Sequence, residues 1–454
     1  MTDLNNKRVL VLGAGRDGVA AAQFIYHTFP NARLAIADTR NVIMPLENIK
    51  TLFEDKYPTT LADWDVVVVS PGIKPSTPLL QTAQYITTAT NLFLEHCKGT
   101  VIGVTGSKGK STTAAVIYSI LNKLEMPAHL VGNIGTPALT ELRENNSKDD
   151  IFVFEMSSYM TSRLEQAPDI AVITTLFPEH QDYHGSTEQY YTDKCRLAEI
   201  QTKKQHLIYN SANEELTKRV ADFVGQKHPY PTAETAHVQD GMVWFNDQVI
   251  IDVEDIPLDG EHNVLNVMGA ITACMQLGLD QHLLTYGIAE FVSLPHRLQN
   301  VGTFEDITFY NDSLSTAPEA TMAALEAVPN VKTLFLGGQD RGYEFAELAQ
   351  KVIGAGVEHI VLFPEGSGAV IRKELDAAGY TGDYLEYPGN MRDAVQWAYD
   401  VTPAGGVCML SCASPSYGVF LDYQDRGNRY TGAIVNIAHG IDITYTRGGH
   451  DCVM

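Results

Sequence analysis

Residues 101–113 read Val-Ile-Gly-Val-Thr-Gly-Ser-Lys-Gly-Lys-Ser-Thr-Thr, and they constrain the fold more than any other part of the chain. A short β-branched run leads into a glycine-rich turn, and an apolar helical pattern follows from Ala114 to Leu121. A strand, a glycine loop and a helix N-terminus in this order bring backbone N–H groups and the positive end of the helix dipole to one point, where phosphate binds. The stretch therefore predicts a phosphate-binding loop that holds ATP.

Each residue of the predicted loop has an expected role. Lys110 reaches the β and γ phosphates, and the hydroxyl of Ser111 or Thr112 faces Mg²⁺. The predicted contacts to the nucleotide are Gly106, Ser107, Lys108, Gly109, Lys110, Ser111 and Thr112. The strict Walker pattern has a glycine five positions before Gly109. Val104 occupies that position in this loop. A glycine-rich turn without a ligand is the alternative that this departure leaves open.

Short β-branched runs alternate with longer helical patterns along the chain. The runs are 8–12, 34–37, 66–69, 101–104, 152–154, 171–174, 207–209, 333–336, 360–363 and 407–410. This alternation is typical of parallel α/β sheets, and nearly continuous apolar strands indicate that helices cover both faces. The stretch from about 225 to 260 is instead polar, alternating and rich in turns, and we predict a small antiparallel piece there.

The length of 454 residues suggests roughly three domains. One domain boundary is expected near Cys97-Lys98-Gly99. Another is expected near Pro295-His296-Arg297, after which a strand–helix pattern restarts. We predict an α/β fold with a Rossmann-like N-terminal domain, a central P-loop ATPase domain and a Rossmann-like C-terminal domain. The predicted ranges are 1–97, 98–297 and 298–454.

A second glycine loop follows the first predicted strand. Gly13-Ala14-Gly15-Arg16-Asp17-Gly18 satisfies the dinucleotide pattern, and Asp38 lies twenty residues after Gly18, as a ribose-binding acid would. By itself this loop predicts an NAD-dependent dehydrogenase. The nucleotide loop at 105–112 and the lack of an obvious hydride-transfer constellation argue against that class.

The charge of the chain excludes some partners. Asp and Glu number 55 against 32 Lys and Arg, so the formal net charge is −23. Such a chain repels nucleic acid and anionic lipid unless a local basic patch overrides the field. We therefore expect no nucleic-acid partner.

The same sequence predicts a cytoplasmic protein. No apolar run approaches the roughly 18–20 residues that span a bilayer, and the N-terminus lacks the pattern of a signal peptide. The six cysteines form no CxxC pair and are expected to be free thiols. We therefore expect no membrane insertion.

Taken together, the motifs resemble those of the Mur ligases, the ATP-dependent amide-forming enzymes of peptidoglycan precursor assembly. The resemblance runs through all three predicted domains. After the phosphate loop, the matching segments are Gly132-Asn133-Ile134-Gly135, Phe154-Glu155-Met156-Ser157-Ser158, Glu179-His180-Gln181-Asp182, Lys194, Gly260-Glu261-His262-Asn263, Pro295-His296-Arg297, Asn311-Asp312-Ser313, Gly337 to Gly342, Leu410 to Phe420, and Asp425-Arg426-Gly427-Asn428.

The resemblance implies roles that the residues alone do not. Glu155 would hold Mg²⁺, while His180 and a carbamylated Lys194 would arrange a second Mg²⁺. The implied catalytic residues are Lys110, His180 and Lys194, and the implied metal ligands are Ser111, Glu155, His180 and Lys194. Asn263, Arg297 and Asp312 would contact the nucleotide. A carbamate suits Mg²⁺ because it is an oxygen-donor anion, whereas Lys⁺ has no lone pair to offer.

Asp38-Thr39-Arg40 and Ser70-Pro71-Gly72 resemble the branch that joins glutamate to UDP-N-acetylmuramoyl-L-alanine. That branch forms an acyl phosphate on ATP, which the glutamate amine then attacks, and it releases ADP and phosphate. The implied substrate contacts are Gly15, Arg16, Asp38, Thr39, Arg40, Ser70, Gly72, Asn133, Ser157, Thr316, Arg341, Ser416 and Phe420. The resemblance implies a monomer that serves peptidoglycan synthesis, and hence cell shape and division.

The stereochemistry of the glutamate stays open. D-glutamate enzymes carry Lys directly after Asn-Asp-Ser, but Leu314 stands here, in a form that resembles a smaller L-glutamate-adding branch. Loss of a cation beside a carboxylate pocket changes how glutamate is held. We expect D-glutamate as the family default and keep L-glutamate as the alternative. A folyl-polyglutamate-type ligase, which would lack the Asp-Thr-Arg first domain, is a further alternative.

Overall fold

The computed structural model describes residues 3–39, 41–42, 44–46, 49–258, 260–291, 295–340, 343–416 and 418–441. The chain divides into two compact units, Met1–Val292 and Ser293–Met454, called here the first and second unit. No helix in the described ranges combines the length and the apolar character that crossing a bilayer requires. The five cysteines within those ranges are free thiols, while Cys452 lies outside them.

The described residues form strands and helices in alternation. The strands are β1 Arg8–Leu12, β2 Arg33–Asp38, β3 Lys50–Phe53, β4 Val66–Val69, β5 Ile86–Thr87, β6 Thr100–Thr105, β7 Ala128–Gly132, β8 Ile151–Glu155, β9 Ile170–Ile173, β10 His206–Asn210, β11 Gln226–Tyr230, β12 Ala236–Gln239, β13 Met242–Phe245, β14 Gln248–Asp252, β15 Gln299–Phe304, β16 Ile307–Asn311, β17 Val331–Gly338, β18 His359–Gly366, β19 Asp383–Glu386 and β20 Val407–Leu410. The α-helices are α1 Arg16–Thr28, α2 Ala89–His96, α3 Lys110–Lys123, α4 Ala138–Glu144, α5 Ser158–Thr161, α6 Gln181–His184, α7 Thr187–Glu199, α8 Glu214–Val220, α9 Glu261–Met275, α10 Leu284–Ala289, α11 Pro318–Ala327, α12 Ala346–Gly354, α13 Ser367–Ala378, α14 Met391–Val401 and α15 Tyr423–Ala438.

The first sheet has the order β3-β2-β1-β4-β5, and its pairings are parallel. This order is that of a Rossmann-type mononucleotide half with the strand reversal beside β1. Val9, Val11, Ile36 and Val68 are almost fully buried, as expected for a parallel sheet covered by helices. The predicted Rossmann-like N-terminal fold is confirmed.

The central sheet has the order β11-β10-β9-β6-β8-β7, again with parallel pairings. Because β9, β6 and β8 are neighbours, their carboxyl ends meet at one edge of the sheet. Gly106 follows β6, Glu155 ends β8, and Thr174 follows β9. Open parallel sheets bind ligands at this edge.

The stretch from 225 to 260 is partly as predicted. Strands β12, β13 and β14 form an antiparallel three-stranded sheet, which confirms the expected small antiparallel piece. Strand β11, however, pairs in parallel with β10 and forms an edge of the central sheet. The prediction was wrong for β11, because a polar edge strand lacks the apolar run by which a central strand is recognised.

The second unit contains a sheet of order β15-β16-β20-β17-β18-β19. Its pairings are parallel except for β15–β16, which are antiparallel. A parallel sheet with one antiparallel edge strand is a common α/β arrangement. The Rossmann-like C-terminal fold is therefore also confirmed.

Candidate active site

The phosphate loop lies between β6 and α3, and glycines at two positions allow its turn. Gly106 has φ +145° and Gly109 has φ +85°, a region that favours glycine. A Cβ on Gly106 would lie 1.9 Å from Thr174 Oγ1, and a Cβ on Gly109 would lie 2.2 Å from Asn266 Oδ1. The loop is therefore fitted tightly between the end of β9 and helix α9.

Two lysines converge on the carbonyl of Gly106. Lys110 Nζ donates to Gly106 O at 2.8 Å and to Ser107 O at 3.0 Å. Lys194 Nζ, from α7, donates to the same Gly106 O at 2.8 Å. Lys194 is buried, and desolvation together with the charge of Lys110 holds its pKa well below the usual value for lysine. This environment favours a neutral amine at Lys194.

Glu155 carries a buried oxygen without a partner. Its Oε1 accepts a hydrogen bond from Asn133 Nδ2 at 3.0 Å, whereas its Oε2 has no hydrogen-bond partner among the described residues. Glu155 is 1% exposed, and an unpaired buried carboxylate oxygen is costly. Bound Mg²⁺ would remove that cost, so the residues present fit the predicted metal.

His180 is the N-cap residue of the short helix α6, and its backbone is in the left-handed region, with φ +52°. Its Nδ1 lies 3.1 Å from the hydroxyl of Tyr159. Its Nε2 lies 3.9 Å from Glu179 Oε2, and its side chain is half exposed. The hydrogen bond to Tyr159 orients the ring, as the second nitrogen of a metal-shell histidine usually does through an outer partner.

Tyr190 connects these groups, although the sequence analysis did not single it out. Its hydroxyl lies 2.9 Å from Ser107 Oγ and 3.4 Å from Glu179 Oε2, and its ring centroid lies 5.0 Å from Lys194 Nζ. Glu179 also forms a 2.9 Å ion pair with Lys108. Tyr190 lies one helical turn before Lys194 on α7, and that spacing is the signal that would have found it.

Other predicted residues of the first unit stabilise the polypeptide around the loops. Asp38 Oδ2 accepts the Ala14 N–H at 2.8 Å, and the Ser70 hydroxyl donates to Gly13 O at 2.8 Å, so both hold the first glycine loop. Arg16 donates to the carbonyl of Gly135, beside the Asn133 turn.

The Ser70–Gly72 segment and the nucleotide-side helices also have defined contacts. The Tyr183 hydroxyl of α6 donates to Pro71 O at 2.7 Å, which brings that segment beside the helix that follows His180. Ser157 Oγ caps α5 by accepting from Met160 N at 3.4 Å. Asn263 Oδ1 accepts from Asn266 Nδ2 at 3.2 Å, next to the phosphate loop.

The second unit holds a buried arginine that the sequence analysis quoted within a motif but did not single out. Arg426 is fully buried, and it donates from Nε to Ser313 Oγ at 2.9 Å, from Nη2 to Ser313 O at 2.7 Å and from Nη1 to Ser414 O at 3.1 Å. Burial lowers its pKa from the usual value for arginine. Its guanidinium therefore joins the 313–316 and 414–416 segments, which contain the predicted amino-acid contacts Thr316 and Ser416.

Asp312 lies beside the same segments and is also buried. Its Oδ2 accepts from Ser411 Oγ at 2.7 Å and its Oδ1 from Leu298 N at 3.1 Å. Burial raises the pKa of Asp312 to about 6, against these hydrogen bonds. The carboxyl group therefore fixes the chain around the predicted residue Arg297.

The remaining predicted residues have more ordinary surroundings or fall outside the described ranges. Phe420 is 7% exposed and packs on the rings of Phe363 and Tyr387. Gly15 and Gly72 have open space where a Cβ would be, and Thr39 is exposed. Two predicted substrate contacts, Arg40 and Arg341, lie outside the described residues.

The fold and these side chains define a class: an α/β protein with a nucleotide phosphate loop at the carboxyl edge of its central sheet. Comparison with known families identifies it further. Residues 7–89 match the Mur ligase MurD-like N-terminal domain, and residues 104–274 match the Mur ligase middle domain. A UDP-N-acetylmuramoylalanine–D-glutamate ligase of Streptococcus equi subsp. zooepidemicus is 33% identical over 95% of this chain and 98% of its own length. The chain belongs to the Mur ligase family.

A relative that is named as an L-glutamate ligase is similar to the same degree. A UDP-N-acetylmuramoyl-L-alanine–L-glutamate ligase of Salinispora tropica is 34% identical over 96% of this chain and 99% of its own length. The family membership removes the support for a dehydrogenase. It leaves the choice between the two glutamates open.

Solved structures show the same fold. The UDP-N-acetylmuramate–alanine ligase MurC of Thermotoga maritima has a TM-score of 0.58 at 16% identity and covers 95% of this chain and 100% of its own. The MurF ligase of the same organism, in complex with ADP, has a TM-score of 0.55 at 16% identity, with 96% and 100% covered. E. coli FolC with ADP reaches a TM-score of 0.55 at 15% identity and covers 77% of this chain and 93% of its own.

Proposed function

We propose that this chain is an ATP-dependent ligase that adds glutamate to UDP-N-acetylmuramoyl-L-alanine in peptidoglycan precursor synthesis. The observation that supports it most is the meeting of Lys110, Lys194 and Glu155 around one phosphate loop. These residues occur in a chain that matches glutamate ligases over about 95% of its length. Relatives of the same fold are named as complexes with ADP, which supports ATP as the energy source.

Mg²⁺ fits the residues at the carboxyl edge of the central sheet. Glu155 and the hydroxyl of Ser111 would hold one ion, and His180 with Lys194 would arrange a second. Bound Mg²⁺ would neutralise charge on the phosphates during transfer. Glu155 contributes a carboxylate already oriented by Asn133, so the chain provides this ligand without rearrangement.

Carbamylation of Lys194 is part of the proposal. The amine adds to CO₂ by forming a C–N bond, and it releases one proton as the carbamate anion forms. That reaction needs a neutral amine, and burial together with the charge of Lys110 lowers the pKa of Lys194 toward that form. The carbamate would replace a buried amine by an oxygen-donor anion beside Glu179 and Glu155, where it needs a bound cation to be stable.

The reaction needs binding and orientation more than covalent participation of the protein. The alanine carboxylate of the UDP-sugar attacks the γ phosphate of ATP, and ADP leaves. Lys110 offsets the charge that gathers on the transferred group. The glutamate amine then attacks the acyl phosphate, and phosphate leaves the tetrahedral intermediate. His180 orients groups around the phosphates, since its Nδ1 is held by Tyr159.

The domains take the substrates in the order of the predicted ranges. We assign 1–97 to the UDP-sugar, 98–297 to ATP and 298–454 to glutamate. The buried Arg426 supports the last assignment, because a permanent positive charge suits a segment that holds an amino acid with two carboxylates. The cytoplasmic location and the monomeric state stay predictions of the sequence.

One assay tests the function and the stereochemistry together. The purified chain receives UDP-N-acetylmuramoyl-L-alanine, MgATP and either D- or L-glutamate, and product and phosphate are measured. We expect phosphate release that depends on both the UDP-sugar and one glutamate enantiomer, with D-glutamate as the family default. Equal phosphate release without the UDP-sugar, or no product with either enantiomer, would contradict the proposal.

A further inference from the structure

Ser158, His184 and Asp193 form a buried chain of hydrogen bonds next to the residues assigned to the metals. His184 Nδ1 lies 2.6 Å from Asp193 Oδ2, and His184 Nε2 lies 3.0 Å from Ser158 Oγ. Gln189 Nε2 donates to the other oxygen of Asp193 at 2.8 Å. None of the three residues is more than 8% exposed. The resemblance to the Mur ligases assigned no role to the side chains of Ser158, His184 and Asp193.

The partners define the direction of the hydrogen bonds. With Asp193 as a carboxylate, His184 Nδ1–H donates to it, and His184 Nε2 accepts the hydroxyl proton of Ser158. This order resembles that of a nucleophilic triad, but Ser158 is 3% exposed and leads helix α5. Because its hydroxyl is buried and used within this network, we assign Ser158 a structural role and no nucleophilic one.

Each of these three residues lies close in sequence to a residue of the proposed site. Asp193 directly precedes Lys194 on α7, His184 ends the helix that His180 begins, and Ser158 follows the Glu155 strand end by three residues. The Tyr159 ring stacks on His184 with 5.6 Å between centroids, and its hydroxyl contacts His180. The Tyr190 ring also packs against His184, at 5.3 Å.

We propose that Ser158, His184 and Asp193 are positioning residues that lock α5, α6 and α7 together and so fix Lys194 and His180 against the phosphate loop. This inference rests on the proposed function for its kinetic consequence. The short 2.6 Å contact to Asp193 is a charge-assisted hydrogen bond, and such bonds hold geometry more firmly than neutral ones. Because α5 and α6 are each four residues long, helix propensity alone would not hold them.

The chain offers a matched control in His129. Its Nδ1 lies 2.9 Å from Glu141 Oε1 and its Nε2 lies 3.1 Å from Asp150 Oδ1, so it is also a histidine held at both nitrogens. It lies near the amino end of β7, whereas the phosphate loop lies at the carboxyl edge of the same sheet. His129→Asn therefore removes comparable contacts away from the site.

The test compares His184→Asn, Ser158→Ala and His129→Asn by steady-state kinetics and thermal unfolding. Asparagine at 184 retains a donor near the Nδ1 position but loses the contact with Ser158. We expect His184→Asn and Ser158→Ala to lower kcat on the order of 10–100-fold, as removal of outer-shell partners does. The KM values for the three substrates should change less than threefold, and His129→Asn should leave kcat within twofold of the wild type.

A second readout does not depend on turnover. With ¹³C-bicarbonate, His184→Asn should show a weaker carbamate resonance than the wild type, because Lys194 is less firmly placed. An unchanged kcat in both His184→Asn and Ser158→Ala, or a loss in His129→Asn as large as in these variants, would overturn the inference. If the wild type forms no product, the proposed function is wrong. The carbamate resonance then tests the positioning role by itself. If His184→Asn does not fold, Ser158→Ala decides.

Discussion

Lys194 in the first unit and Arg426 in the second are both buried basic side chains whose hydrogen-bond acceptors are uncharged. Lys194 donates to the carbonyl of Gly106, whereas Arg426 donates to Ser313 and to the carbonyl of Ser414. Burial lowers the pKa of both. A lysine starts near pKa 10.4 and can lose its proton, but an arginine stays charged in any ordinary condition.

The same environment therefore has opposite consequences in the two units. In the first unit it lowers the pKa of an amine, and the proposed reaction with CO₂ needs the neutral form of that amine. In the second it surrounds a permanent charge whose planar donors fix two chain segments. In our proposal Lys194 changes chemically, whereas Arg426 organises its surroundings. Exchanging lysine and arginine at these two positions tests whether the two side-chain types have these different roles.

The largest effect is expected for Lys110→Ala, which removes the cation that lies next to Lys194. Lys110 contacts the phosphate loop and would offset charge on the transferred group, so turnover should fall by at least on the order of 10³-fold. Circular dichroism and the unfolding midpoint should stay close to those of the wild type, since the change removes a ligand contact at a partly exposed position. Phosphate release near the normal rate would contradict the nucleotide assignment.

Lys194→Arg introduces a permanent positive charge and removes the reactive amine. We expect a loss of turnover on the order of 10²–10³-fold, because arginine forms no carbamate and offers no oxygen ligand. Lys194→Ala should also be inactive, and added bicarbonate or a short carboxylate should restore part of its activity. Full activity of Lys194→Arg would show that charge alone is needed at this position.

Arg426→Lys is the reciprocal exchange in the second unit. Lysine keeps the charge but cannot donate to Ser313 and Ser414 in the same fork, so the free energy of unfolding should fall by about 2 kcal/mol. The KM for glutamate should rise about tenfold, with the KM for ATP unchanged. Urea unfolding and initial rates measure the two effects. A rise in both KM values together would contradict a role confined to the glutamate segment.

The last prediction concerns pH and Asp312, which lies near Arg426. The folded pKa of about 6 lies above the unfolded value of about 3.9, so the folded state holds more protons between these values and its stability falls as pH rises from about 4 to 6. Asp312→Asn removes this dependence. Its stability relative to the wild type should therefore rise by about 2–3 kcal/mol over that window and stay constant above pH 6. Urea midpoints of both proteins at several pH values measure the difference; parallel curves would contradict a raised pKa.

The sequence predicted the structure correctly where a local pattern of residues determines it. The apolar runs at 8–12, 66–69 and 407–410 are strands with the predicted bounds, because buried parallel strands are continuously apolar. The phosphate loop is also encoded locally, by glycines that must adopt positive φ. Edge strands such as β3 and β11 went unrecognised, since their exposed residues carry no apolar run.

The candidate site was less predictable, since its parts come together through tertiary contacts. Lys194 and Gly106 are 88 residues apart in the chain, and their contact depends on how α7 packs beside β6. The family resemblance indicated the roles of Lys194 and His180, because the spacing of these residues has no chemical meaning by itself. Tyr190, His184 and Asp193 belong to no pattern with a chemical meaning of its own, so only the structure brings them together.

We propose that the Lys194 amine becomes a carbamate anion, whereas Arg426 remains a cation. ¹³C NMR of the protein equilibrated with ¹³C-bicarbonate tests this proposal. We expect a carbamate resonance in the wild type that disappears in Lys194→Arg and persists in Arg426→Lys. A fully active wild type without that resonance, or a resonance that survives in Lys194→Arg, would contradict it.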